Sequence, residues 1–251
     1  MPKKHYGQHF LRNRGAVERI VAAVEPRDDE SILEIGPGEG VLTEKLIELG
    51  RPFRAIEIDR DLVPKLRERF GEETIIEADA VEAPLPDAPF RAVGNLPYNV
   101  GTPILRRVIA APHFRRAVFM LQKEVADRLV AKPGDDAFGY LTLYANLFVT
   151  ARTLLTLEPK SFYPPPKVRS AVVVLDPDRK PYASDALISL ISTAFRMRRK
   201  KLVNNLTGWR ELTREQVLTA MAAAGIDEGV RAETMGIEAF DALGRALLLS
   251  R

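Results

Sequence analysis

Cysteine is missing from this sequence of 251 residues, which rules out disulfides and thiolate metal centres alike. Histidine is scarce: His5, His9 and His113 do not form a ligand-spaced cluster, so no metal is expected. No stretch approaches the ~20 consecutive apolar residues of a membrane helix. Met1-Pro2-Lys3-Lys4-His5 leads into no apolar signal core, so a cytoplasmic protein without a membrane partner is expected. Internal repeats, low-complexity tracts and heptads are absent too, and with no large apolar stripe set aside for a partner a monomer is expected. Charge of one sign is nearly lacking: 37 Lys and Arg against 34 Asp and Glu leave +3. Such an excess matters only where it is concentrated.

What is present is a soluble globular composition, 46% apolar and 28% charged, in a chain long enough for one large domain or for an ordinary domain plus a small one. The positive charge gathers in two places. Lys3, Lys4, Arg12 and Arg14 lie in a glycine-broken N-terminal stretch with interleaved aromatics, which reads either as a solvated leader or as an arm that touches a polyanion and folds over a ligand. Far downstream, Arg196, Arg198, Arg199, Lys200 and Lys201 put five cations into seven residues without an acid among them. That density suits phosphate contacts, although a charge run is also the ordinary dress of a solvated face.

Between these clusters, apolar runs alternate with amphipathic segments, the signature of an α/β fold. Val17, Ile20, Val21 and Val24 recur at helical spacing until Pro26. Strands are expected at Ile32–Ile35, Phe53–Ile58, Thr74–Glu77, Phe90–Gly94 and Ala117–Leu121, with a closing pair at Leu154–Leu157 and Val168–Leu175. A helix with Thr102 as its cap and Pro103 in its first turn, one over Gln122–Leu129 and one over Tyr140–Val149 are expected between them. Asp176–Pro181 reads as a linker, beyond which the strands cease and the pattern is helical.

The first strand runs into Gly36-Pro37-Gly38-Glu39-Gly40 and a helix carrying Leu42, Leu46 and Leu49. Strand, glycine loop and helix open a nucleotide-binding unit, because glycine lets backbone approach the ligand and the helix start offers free amides. Glu57, about 20 residues on, stands where a carboxylate accepts from ribose hydroxyls. A dinucleotide dehydrogenase shows much the same pattern. Two details point elsewhere: the spacing is GxGxG rather than GxGxxG, and Glu34 precedes the first glycine, where its charge opposes a pyrophosphate and favours a cation. S-adenosylmethionine has a sulfonium, an ammonium and no phosphate. Asp79, at the end of the third strand, reads as an acceptor for an adenine amino group or as a plain turn residue.

Asn95-Leu96-Pro97-Tyr98 follows the fourth strand. The Asn95 side-chain oxygen and the Leu96 carbonyl suit an exocyclic amine, Pro97 stiffens the turn, and Tyr98 offers a stacking face. An ordinary strand-to-helix turn is the competing reading. No His or Lys stands beside the motif to act as a base. Phe162, on a stem stiffened by Pro164, Pro165 and Pro166, reads as a buried hinge ring or as the second ring of an aromatic clamp on a flipped base.

Taken together, Gln8-His9-Phe10-Leu11, Glu34-Ile35-Gly36-Pro37-Gly38-Glu39-Gly40, Asn95-Leu96-Pro97-Tyr98-Asn99, Leu121-Gln122-Lys123-Glu124-Val125, Phe162-Tyr163-Pro164-Pro165-Pro166-Lys167-Val168 and Arg198-Arg199-Lys200-Lys201-Leu202 resemble the KsgA-type ribosomal RNA adenine dimethyltransferases over nearly the whole chain. The resemblance implies a Rossmann-like class I methyltransferase sheet of seven strands, the last antiparallel. It assigns 1–177 to this S-adenosylmethionine-binding domain, with 1–14 as its basic arm, and 182–251 to a small all-helical RNA-binding domain. It implies methyl transfer from S-adenosylmethionine to two adjacent adenosines near the 3′ end of small-subunit rRNA, naked or within a pre-assembled subunit. The alternatives are a large-subunit rRNA methyltransferase of the macrolide-resistance type, or mainly an assembly factor that binds RNA. The implied cofactor residues are His9, Leu11, Glu34, Gly36, Gly38, Glu57, Ile58, Asp79, Ala80 and Asn95. Asn95, Leu96, Pro97, Tyr98 and Phe162 are the implied target-base residues, and Lys3, Lys4, Arg12, Arg196 and Arg198–Lys201 the RNA contacts. The arm commonly reads Gln-Asn-Phe-Leu in that family, so His9 is a departure.

Overall fold

Apolar runs separated by amphipathic helices are buried on both faces only when the helices cover a common, largely parallel sheet. The computed structural model, which describes residues 8–97 and 100–249, has that arrangement. A two-residue strand β1 (Phe10–Leu11) and helix α1 (Arg14–Val24) precede β2 (Ser31–Ile35), α2 (Val41–Ile47), β3 (Phe53–Glu57), α3 (Val63–Phe70) and β4 (Ile75–Glu77). Next come β5 (Phe90–Asn95), α4 (Gly101–Ala110), β6 (Phe114–Gln122), α5 (Lys123–Val130), α6 (Tyr140–Asn146), β7 (Val149–Leu157), β8 (Phe162–Tyr163) and β9 (Ser170–Pro177). Helices α7 (Asp185–Ala194), α8 (Leu202–Leu206), α9 (Arg214–Ala223) and α10 (Ile237–Leu249) follow. No helix of the described residues is long and apolar enough to cross a membrane.

Seven strands form one sheet in the order β4-β3-β2-β5-β6-β9-β7. From β4 to β6 neighbours are parallel, while β9, the last strand of the chain, is antiparallel to β6. This is the expected α/β methyltransferase sheet. Two local expectations are corrected. The helix expected over Tyr140–Val149 stops at Asn146, and Val149 already begins β7. Helix α4 starts at Gly101 with Val100 as its cap, so Thr102 lies inside the helix and caps nothing.

Contacts divide the chain into two units: the chain up to Ala126 with Thr150–Pro177, and Asp127–Val149 with Asp178 onward. In the first, α1 packs Val17, Ile20 and Val24 against sheet residues Val93, Val118, Val172 and Val174. The Asn13 side chain caps α1 by accepting from the Ala16 amide at 3.1 Å. Arg91 lies buried in β5, where an unpaired charge is prohibitive; it is satisfied by the carboxylate of buried Glu30 and by the Val24 carbonyl at 2.7 Å. Burial raises the Glu30 carboxyl, but the hydrogen bonds from Arg91 and the Arg27 amide, with both charges, bring it below the ordinary range. Gly94 is required by proximity, since a Cβ there would run into the Ile35 carbonyl oxygen of the neighbouring strand.

The second unit is helical. Phe195 stands between Phe138 and Phe240, with ring centroids 6.3 and 6.2 Å away. Leu190, Ile191, Leu202, Leu206, Val217 and Leu243 fill the remaining core. Thr213 and Gln216 form a reciprocal capping box at the start of α9.

Candidate active site

At the carboxyl ends of β2, β3 and β5, where open α/β sheets bind their ligands, lies a cavity of about 290 Å³. The glycine loop supplies its floor. Gly36, Gly38 and Gly40 adopt φ of 70°, 59° and 82°, values that side chains rarely tolerate, and a Cβ on Gly38 would press on the Phe10 ring at 3.0 Å. Glu57 holds the loop from the next strand. Its carboxylate accepts from the amides of Gly38, Ile58 and Asp59 at 3.1, 3.0 and 2.9 Å. Burial outweighs those bonds and raises its pKa, helped by the charge of Asp59. Asp79 receives the Val81 amide at 2.8 Å on one oxygen, so it is a turn residue as well as a lining acceptor.

Glu34 sits beneath the loop at 1% exposure. The Thr43 hydroxyl donates to one of its oxygens at 2.6 Å, while the other has no hydrogen-bond partner. Desolvation, with the Glu57 charge adding, pushes its pKa up to about 8 against the pull of Thr43. Among the described residues the cavity lining holds Glu34, Glu39, Glu57 and Asp79 and no Lys or Arg. Glu57 and Asp79 disfavour a pyrophosphate and suit a cationic ligand, and the neutral, partnerless Glu34 carboxyl oxygen beneath the loop is a polar atom that a ligand can satisfy, so the lining fits S-adenosylmethionine.

The N-terminal arm closes one wall. β1 pairs antiparallel with β8, Leu11 opposite Phe162 and Phe10 opposite Tyr163, and the Arg12 amide donates to the Ser161 carbonyl at 2.8 Å. His9 donates from Nδ1 to the Pro164 carbonyl at 2.8 Å, and its own carbonyl accepts from Asn95 Nδ2 at 2.7 Å. The amide nitrogen of Asn95 is therefore occupied and its oxygen is the end left for a ligand. A histidine thus does stand beside the motif, brought from 86 positions away. Gln8, which sequence reasoning left without a role, lines the cavity and donates to Asp59 at 2.8 Å. Thr43 was missed as well; the signal was a hydroxyl on the apolar face of α2 between Leu42 and Leu46.

Of the expected cofactor and target-base residues, His9, Leu11, Glu34, Gly36, Gly38, Glu57, Ile58, Asp79, Ala80, Asn95, Leu96 and Pro97 all line this cavity. Tyr98 lies outside the described residues, as do Lys3 and Lys4. Phe162 does not line the cavity. Strand alternation turns it inward to 4% exposure among Leu11, Val17 and Val172, and leaves Tyr163 at 61%. Of the two rings expected to clamp a base, Phe162 is thus buried and Tyr98 lies outside the described residues. Arg12 pairs with Glu39 of the glycine loop at 2.6 Å, and its side chain stays 49% exposed.

In the helical unit the basic turn is built, not loose. Buried Asn205 donates to the carbonyls of Ala194 and Met197 at 2.8 and 3.2 Å and accepts from the Met197 amide at 3.2 Å. Arg198 donates to the carbonyls of Asp136 and Phe138 at 2.9 and 3.1 Å, which makes it a brace. Arg196 and Arg198–Lys201 are all exposed.

A family model described as ribosomal RNA adenine dimethylase matches residues 2–243. Among curated relatives, a ribosomal RNA small subunit methyltransferase A from Methylococcus capsulatus is 43% identical over 98% of this chain and 98% of its own length. One of the same name from Hahella chejuensis is 40% identical over 95% and 90%. Among solved structures, a dimethyladenosine transferase from Plasmodium falciparum aligns with a TM-score of 0.81 at 25% identity, covering 94% of this chain and 96% of that one. The 23S rRNA methyltransferase ErmE aligns at 0.72 and 29% identity over 95% and 99%.

Proposed function

This chain belongs to the ribosomal RNA adenine dimethylase family, whose members are S-adenosylmethionine-dependent methyltransferases, and we propose that it dimethylates two adjacent adenosines near the 3′ end of small-subunit rRNA. The observation that carries this reading is the cavity: a lining of Glu57, Asp79, the Arg12-paired Glu39 and the buried, protonated Glu34 carboxyl, with no Lys or Arg among its described residues, and Asn95 held by the arm with its oxygen end to spare. Curated relatives 40 and 43% identical over nearly the whole chain are named ribosomal RNA small subunit methyltransferase A, which favours the small subunit as partner.

S-adenosylmethionine supplies an electrophilic methyl group on a positively charged sulfur. The residues that would hold it are Gly36 and Gly38 of the loop, Glu57 toward ribose hydroxyls, Ile58 against the adenine, Asp79 and Ala80 at its edge, and the Glu34 carboxyl below. The adenine exocyclic nitrogen of the target is a poor nucleophile, because its lone pair is delocalised into the ring. Asn95 Oδ1 and the Leu96 carbonyl accept its two N–H groups, favour a pyramidal nitrogen and aim the lone pair at the methyl carbon. The Pro97 carbonyl is not available for this, since it takes the amides of Val100 and Gly101 at 3.2 and 2.7 Å. His9 positions Asn95 through its backbone oxygen. The surplus proton leaves to water once the nitrogen has become cationic, so no strong base is required.

Radiolabelled methyl transfer to small subunits lacking these methyl groups, followed by mapping of the label, tests the proposal. Label on two neighbouring adenosines of small-subunit rRNA is expected; label confined to large-subunit rRNA would overturn it.

A further inference from the structure

The helical unit contains a second cavity, of about 270 Å³, which the methyl-transfer chemistry does not use. It is lined by Tyr182 from the segment before α7, Leu187 and Leu190 of α7, Trp209, and Gly244 and Arg245 of α10. We propose that this cavity receives one unpaired base of the substrate RNA, stacked on its aromatic lining, so that the helical unit grips a flipped-out nucleotide as well as phosphates. The inference rests on the RNA-directed reading above.

Four observations bear on it. The indole of Trp209 donates to the Ser189 hydroxyl at 3.1 Å, and the Arg210 guanidinium lies over one face of its ring, 5.0 Å from the centroid, which leaves the other face for a base. Aromatic faces with an arginine beside them are sequence-tolerant platforms for bases. Second, the turn that presents this pair is strained: Arg210 and Glu211 adopt φ of 49° and 66°, left-handed values that cost non-glycine residues free energy and persist where the surroundings enforce them. Third, α10 carries a glycine in its interior at the cavity wall. Gly244 gives up helix propensity, and a Cβ there would already touch Leu187 and Leu190 at 3.6 and 3.7 Å, so any larger side chain would project into the slot. Fourth, charge favours a polyanion. Residues 178–251 hold twelve Lys and Arg against nine Asp and Glu, the whole of the chain's excess of three.

Asp241, paired with Arg245 at 2.5 Å, adds an acceptor for the amino groups of a base edge.

Trp209 is the only tryptophan of the chain, so its fluorescence reports on this cavity without labelling. The full chain is titrated with a short single-stranded oligoribonucleotide and, separately, with an abasic oligonucleotide of the same length and charge. Quenching by the first and not the second is expected. Gly244→Leu, which fills the slot, and Tyr182→Leu, which removes a ring without touching the helical core, are each expected to weaken binding of the base-bearing strand roughly tenfold and to leave binding of the abasic strand unchanged. Equal quenching by both strands, or variants that bind both as the wild type does, would overturn the proposal. So would quenching that requires the ribosomal proteins of an assembled subunit, since that would seat a protein side chain in the slot. Methyl transfer to small subunits is measured alongside. Transfer without quenching sinks the pocket and spares the functional reading, whereas absence of transfer sinks that reading itself.

Discussion

Replacing Glu34 by Gln alters one proton beneath the glycine loop and almost nothing in shape. In the wild type the carboxyl is buried, receives only the Thr43 hydroxyl, and has a pKa pushed by desolvation from 4.5 up to about 8. Between those values the unfolded chain is ionised at this position while the folded chain keeps its proton. The folded state therefore binds more protons, and stability falls as pH rises through the window. At ~1.4 kcal/mol per pH unit, the wild type loses about 2 to 3 kcal/mol between pH 5.5 and 7.5 from this group alone. The Gln variant keeps the acceptor for Thr43, adds a donor, and loses none of it. Urea unfolding followed by far-ultraviolet circular dichroism at pH 5.5, 6.5 and 7.5 measures the gap between the two proteins, in which titrations away from Glu34 and its neighbour Glu57 cancel. The gap is expected to move in favour of Glu34→Gln by that amount as pH rises. A gap that stays constant across the three pH values would refute the argument that Glu34 is a protonated, desolvated carboxyl.

Arg91→Ala strands the Glu30 carboxylate in the interior and should cost about 3 to 5 kcal/mol in the same unfolding assay; the double variant with Glu30→Gln should recover a good part of that, and no recovery would mean that the pair is not coupled. Neutralising Arg199, Lys200 and Lys201 to Gln should lower the slope of log affinity against log salt for small-subunit RNA by about 2 to 3, measured by filter binding at several salt concentrations. An unaltered slope would reduce that turn to a solvated face.

The sheet and the glycine loop were legible because their signals are local. Ile32–Ile35 is apolar but for Glu34, its glycines follow at once, and Glu57 comes about 20 residues after them. The start of β7 was not legible: Val149-Thr150-Ala151-Arg152-Thr153 lies at the sheet edge, largely exposed after its first residue, so no alternation sets it apart from the helix before it. Nor was the side to which Phe162 turns, because a two-residue strand has no pattern of its own and takes its register from β1, some 150 positions earlier. The contact between His9 and Asn95 was hidden for the same reason, and it is what converts an isolated asparagine into an oriented acceptor. Short-range patterns revealed which residues belong to the site, while the pairing of the arm with β8 decides how they face.

Asn95→Ala, followed by single-turnover methyl transfer to unmethylated small subunits at saturating S-adenosylmethionine, bears most directly on the catalytic geometry. With subunit binding measured in parallel, the account predicts transfer reduced by at least ~100-fold, the scale for losing one positioned hydrogen-bonding group, and subunit affinity within a few-fold of the wild type. Transfer at the wild-type rate, or affinity lost in step with activity, would contradict the assignment of Asn95 as the acceptor that presents the adenine amine.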